Sequence, residues 1–342
     1  MFPSNITFTN QTLINNTDLC TLDTCPMYLA NFTYVPSLAG NVLYAVIFGI
    51  ILIAQIYLGI RKRTWGYLAG MFGGLLLEII GYAGRIQLHF NPFPFNPFLE
   101  NLICLTIAPA FLSAAIYLTL GRVIVIYGPP VSPLKPRTYS IIFVSCDLLS
   151  LILQSAGGAI TATADTGDQT THDLGVHIMI AGLIFQVVSL CVFMALCAAI
   201  WLRIWRHPDL VADESEKLSA LRKTRMWRVM LWALAAATVF IIVRSIFRVA
   251  ELWGGFNGSL ANNEAMFMVF EGAMLVIACS ALTVGHPGVC FDGHWADGNW
   301  TFKTKKGGKD EEAAVPLSQF REGHYKGGYR GMGSHGSVSA TA

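Results

Sequence analysis

Four stretches of this chain carry ionisable or amide side chains at one recurring interval. Glu78 and Arg85 are seven residues apart, as are Asp147 and Gln154, and Glu264 and Glu271. Arg244, Arg248 and Glu251 stand at offsets of zero, four and seven. Seven residues are close to two helical turns, so each set falls on one helix face. Gln186 adds an amide in a fifth stretch. Carboxylates can balance a charge or take up a proton. Arginine holds a carboxylate or phosphate through paired hydrogen bonds. Facing inward, these groups predict a polar cavity for an amphiphile with a charged head. A buried ion-pair network that only locks helices together is the alternative.

The elements that must carry these side chains are apolar. Hydrophobic residues make up 54% of the 342 positions and charged residues 13%, and the mean hydropathy is +0.53. So little charge argues against a soluble globule, and so much apolar content against disorder. A membrane span needs about 20 mainly apolar residues. Seven runs qualify, at 38–60, 66–88, 100–121, 139–160, 176–201, 229–250 and 265–285. They are too long and continuous for barrel strands. The fold class expected is all-α: a polytopic seven-helix bundle over residues 38–288. It is flanked by an N-terminal segment (1–37) and a disordered tail (289–342). An ionised group in such a helix costs about 2.5–3.5 kcal/mol on insertion scales, which is why the striped faces should turn toward each other.

Charge fixes the expected orientation. Arg61, Lys62 and Arg63 close the first span, and Arg122, Lys135 and Arg137 lie between the third and fourth. Seven more basic residues lie in 203–228 and seven in the tail. The alternate connections hold none. The N-terminus is therefore expected outside and the tail in the cytosol. Asn5, Asn10, Asn15 and Asn31 each open an Asn-x-Thr sequon on the outer side, which predicts a glycoprotein. Cys20 and Cys25 lie in the same segment, where a disulfide is permitted; two free or differently paired thiols are the alternative. The 203–228 connection reads as a solvated linker, with a polar helix from Ser215 running into the sixth span. Residues His89 to Phe98 read as an aromatic interfacial cap. Pro109 should kink the third span, and the glycines of the second span read as contact surface.

Several chemistries find no support. There is no phosphate-binding glycine loop, and the near-neutral charge of +2 gives no argument for nucleic acid. His172 and His177 lack a zinc-site pattern, so no metal and no cofactor is expected.

The stripes resemble those of the fungal lipid-translocating exporters of the resistance-to-aminocholesterol type. Glu78-Ile79-Ile80-Gly81-Tyr82-Ala83-Gly84-Arg85 is similar to that family's E-x-x-G-Y-x-x-R. Arg244 to Glu251 is similar to its R-x-x-x-R-x-x-E. Pro109-Ala110-Phe111, Asp147 with Gln154, Gly182 to Gln186, Glu264 and His286-Pro287-Gly288 resemble its remaining elements. Met268 and Glu271 stand where the family often has Tyr and Asp. The resemblance implies movement of, or resistance to, sphingoid bases, sterol-like amines or porphyrins, and no enzymatic activity. The resulting expectation is a plasma-membrane transporter, with internal membranes an alternative. Membrane lipids and an amphiphilic lipid are its partners, and a homo-oligomer is compatible with it. Arg85, Arg244 and Arg248 would meet the head, while Glu78, Asp147 and Glu251 balance charge. The runner-up is a lipid receptor signalling through 203–228, marked by a ligand-dependent cytosolic partner. A third reading is an intramembrane hydrolase, marked by product formation from a ceramide-type lipid.

Overall fold

The computed structural model describes residues 19–27, 30, 32, 34–128, 131–132, 135–163, 169–207, 216–254, 260, 262–291 and 295; at 162, 169 and 216–218 only the backbone is described. Asn5, Asn10, Asn15 and Asn31 lie outside the described residues, as does the tail beyond Trp295. All regular structure among the described residues is helical. It comprises α1 (Leu38–Lys62), α2 (Trp65–Phe90), α3 (Phe95–Tyr127), α4 (Pro136–Thr163), α5 (Gln169–Arg206), a short α6 (Glu216–Lys223) and α7 (Arg225–Trp253). After these come α8 (Glu264–Phe267), a π-helical turn (Met268–Ala273), α9 (Met274–Val284) and α10 (Pro287–Cys290). Among the described residues seven helices are long and apolar enough to cross a membrane, the seventh being the composite Glu264–Cys290. Each contains the run expected from the sequence. Helices satisfy their backbone internally, as hydrocarbon requires.

Local signals set the ends. The Ser37 hydroxyl caps α1 and the Thr224 hydroxyl caps α7. Thr224 also separates α6 from α7, so the polar helix does not run into the sixth span as expected. The His89–Phe98 segment is likewise more helical than expected: α2 continues to Phe90 and α3 begins at Phe95. Pro94 and Pro97 fit there because the first turn needs no backbone donors. In the expected disordered tail, Phe291 and Trp295 are buried instead, stacked edge to face beneath Trp227 and Arg122.

Small residues decide which helices meet closely. A Cβ on Gly70 would lie 2.9 Å from the Phe111 carbonyl oxygen, and one on Gly84 2.9 Å from that of Pro97. Between them, Gly74 and Gly81 accept Leu112 and Leu105. This seam joins α2 to α3, with dispersion contacts in place of a hydrophobic drive that lipid cannot supply. Gly157 and Gly175 make the same approach between α4 and α5. The core around Met71, Leu75, Tyr82, Leu105, Phe193 and Leu275 is apolar. Into it the striped faces of α2, α7 and the seventh span project.

Candidate functional site

The charged cluster is built where α7 meets α3 and the seventh span. Arg244 donates from Nη2 to Glu271 Oε1 and to the carbonyl oxygen of Leu105. That carbonyl is free for a covalent reason. Its helical partner would be the amide of Pro109, four residues on, and proline has no N–H. Pro109 sits inside a continuous α3, so the proline read from sequence as a kink also creates an acceptor for Arg244. Glu271 lies in the π-helical turn, where the Met274 amide reaches back five residues to Val269. The Tyr44 hydroxyl donates to the Met268 carbonyl at 2.7 Å, so a hydroxyl from α1 serves the altered ladder. A π turn inside an α-helix commonly marks a working position.

One turn along α7, Arg248 donates to Glu251 at 2.6 Å and lies 3.5 Å from the Thr106 hydroxyl. Glu78 is set against the same group from α2. It is fully buried, and neither carboxyl oxygen has a hydrogen-bond partner among the described residues. Glu271 Oε2, the Tyr82 hydroxyl and Nε of Arg85, Arg244 and Arg248 are buried in the same condition.

Arg85 closes the cluster under the N-terminal segment. Its guanidinium stacks 3.6 Å from the Phe267 ring centre and 5.2 Å from that of Phe32, and donates to the Tyr34 hydroxyl. Burial pushes the Tyr34 phenol above its ordinary pKa, with the Arg85 charge pulling the other way. The segment is held at further points. The Pro36 carbonyl meets His89 Nδ1 at 2.7 Å, and the Ser37 amide donates to Glu264 Oε1. Asn91 donates to the Cys20 carbonyl at 3.1 Å, and Cys20 and Cys25 form a disulfide packed on Phe93. Beside this strap is a shallow pocket lined by Tyr34, Ser37, Gly40, Asn263, Glu264 and Met268.

Two expectations are corrected. The open polar cavity is closed: Glu78 and Glu271 are 0% exposed, Arg85 1% and Arg244 3%. The stripe of α4 also does not join the cluster. Tyr117 donates to Asp147 Oδ2 at 3.0 Å within a nest of Phe143 and Phe193, and Gln154 donates to Gln186 at 3.1 Å across to α5. Helical spacing gave the right face of α4, but that face turns to α3 and α5. The sequence missed Phe32, Tyr34, Tyr44, Thr106 and Phe267. They carry no interval of their own, and only Tyr82 stood inside a motif.

Chemically, the cluster sets three arginines against four glutamates, counting the half-buried Glu264. It holds unfilled acceptors and donors within an apolar bundle. Among the described residues no set of three His, Cys, Asp or Glu side chains is grouped to hold a metal.

A family described as "RTA1 like protein" matches residues 71–294. The sphingoid long-chain base transporter RSB1 of Saccharomyces cerevisiae strain Lalvin EC1118 / Prise de mousse is 35% identical over 283 residues. These cover 76% of this chain and 74% of the relative. The chain belongs to the RTA1-like family. Other relatives are protoporphyrin uptake protein 1 of Saccharomyces cerevisiae strain ATCC 204508 / S288c, 29% identical over 63% of this chain and 66% of its own, and protein RTM1 of Saccharomyces cerevisiae, 28% identical over 66% and 68%. No solved structure matches.

Within the RTA1-like match, the His286-Pro287-Gly288 element has a structural reason. His286 Nδ1 accepts from the Gly288 amide at 3.1 Å and caps α10. A Cβ on Gly288 would fall 2.5 Å from that of Lys62, so the glycine lets α10 close against the end of α1.

Proposed function

We propose that this RTA1-like protein carries a single-chain amphiphile of the sphingoid-base type between leaflets. The ammonium and hydroxyls of the head are taken by the charged cluster, and the tail stays among apolar helix faces. The observation carrying the reading is Glu78, a fully buried carboxyl without a hydrogen bond or ion pair among the described residues. A network that served only to lock helices has no use for it, because a buried polar group without a partner destabilises the fold. The spare acceptors of Glu78 and Glu271 suit an ammonium. The spare Nε donors of the arginines suit hydroxyl oxygens. This revises the head contact expected from sequence, since each arginine already has an acid or aromatic partner. The name and identity of the sphingoid base relative point the same way.

The closed cluster is then one state of a cycle, with the altered backbone at Pro109 and at the π-helical turn as bending points. The charge distribution supports an N-terminus outside and a cytosolic tail, and the location proposed with it is the plasma membrane. The test is leaflet exchange of a labelled sphingoid base in proteoliposomes. The wild-type chain accelerates exchange, Arg248→Ala abolishes it, and Glu78→Gln slows it by about tenfold or more, as loss of one charged hydrogen bond would. Unchanged exchange by well-folded, monodisperse variants overturns the reading.

A further inference from the structure

Far from the charged cluster, the basic end of α7 is flanked by two apolar hollows. One is a crevice of about 360 Å³ between α3, α5 and α7, walled by Leu120, Phe193, Cys197, Leu231 and Ala235. The other is a shallower groove on the seventh-span side of α7, floored by Ala233, Ala236, Ala281 and Val284. Arg228 and Trp232 border both, and Arg225 borders the second. Arg225 and Arg228 are exposed, and neither has a hydrogen bond or ion pair to a described residue. The crevice follows α7 from Arg228 to Thr238. Ten residues of helix rise about 15 Å, half of a hydrocarbon core of about 30 Å, which is the depth of one leaflet.

We propose that this is a binding site for a two-chain lipid with an anionic head, seated astride Trp232. One chain fills the crevice to mid-membrane and the other lies along the alanine-floored groove. The head phosphate is held by Arg228 and Arg225. Each feature selects the occupant. Two hollows meeting at one point suit two chains. Two guanidiniums without acids suit phosphate, which arginine grips through paired hydrogen bonds. The single-chain, cationic cargo proposed above is disfavoured on both counts, so the inference stands or falls apart from transport. The positive-inside orientation places this end in the leaflet rich in anionic lipid, where the site would anchor α7.

The full chain, in phosphatidylcholine vesicles with trace chain-terminal diazirine phosphatidylserine, tests this by photolabelling. Label is expected on peptides carrying Phe193 to Cys197 and Ala235 to Thr238, the deep end of the crevice. It should be competed by unlabelled diacyl phosphatidylserine better than by phosphatidylcholine, lyso-phosphatidylserine or inorganic phosphate. Ala235→Phe, which fills the crevice, should remove it. Arg228→Gln, an exposed change that leaves packing intact, should cut the preference for phosphatidylserine about fivefold. Equal competition by both diacyl lipids shows ordinary boundary lipid and overturns the proposal. So does equal competition by the lyso-lipid or by phosphate, or label that persists in Ala235→Phe.

Discussion

Burial separates two classes of charge in this protein. Arg244 and Glu271 are ion-paired through Nη2 and Oε1, so removing one strands the charge of the other. Arg244→Ala is expected to lower stability by about 3–5 kcal/mol, while Arg244→Met combined with Glu271→Leu recovers most of the loss. A double-mutant cycle on thermal unfolding in one detergent checks this, and additive losses would show that the pair is not coupled. Glu78 behaves oppositely, because it has no partner to strand. Glu78→Gln keeps its shape and removes an unpaired carboxyl, so the melting temperature should hold or rise even as sphingoid-base exchange falls. A melt that drops with exchange would place Glu78 among the structural residues instead.

At the level of elements, backbone chemistry does what side-chain spacing alone does not reveal. Pro109→Ala returns an amide hydrogen to α3, and the Leu105 carbonyl then closes its own helical bond in competition with Arg244. Stability should be unchanged or raised, since an interior proline costs a helix about 3 kcal/mol, while exchange slows about tenfold. Wild-type exchange in that variant would detach the proline from the site. The α2–α3 seam gives a paired prediction. Gly84→Ala forces a methyl to 2.9 Å from a backbone oxygen and should cost about 1–3 kcal/mol. Gly49→Ala on α1 meets nothing within 4 Å and should be neutral or stabilising in the same melt. The seven spans were legible because apolar length is a one-dimensional property, and the striped faces because helical period is another. Which stripes meet was not legible. Asp147 and Glu78 carry the same seven-residue signature, and only the order of helices around the bundle gives one a hydrogen bond from Tyr117 and leaves the other buried without a partner among the described residues in the charged cluster. The strap over Arg85 was invisible for a similar reason, since Phe32 and Tyr34 are ordinary aromatics until the chain folds back.

Across the whole molecule, the two ends differ in kind. One end holds the disulfide-bonded strap, Arg85 and the pocket beside Glu264; the other holds the exposed arginines and the two hollows astride Trp232. An anionic lipid bound at the basic end requires that end to face the leaflet rich in anionic lipid, with the strap end on the opposite side. The positive-inside rule predicts that sidedness, with the strap expected outside and the arginines expected in the cytosol. Expression in a glycosylating host should therefore give a product whose mobility shifts on endoglycosidase treatment. The shift should shrink stepwise as Asn5, Asn10, Asn15 and Asn31 are changed to Gln. Protease added to sealed cells should spare the tail beyond Trp295 until the membrane is opened. A tail cleaved in sealed cells, with no sugar on any of the four asparagines, would invert the molecule. Arg225 and Arg228 of α7 would then face the leaflet poorer in anionic lipid, and the lipid site would lose its basis.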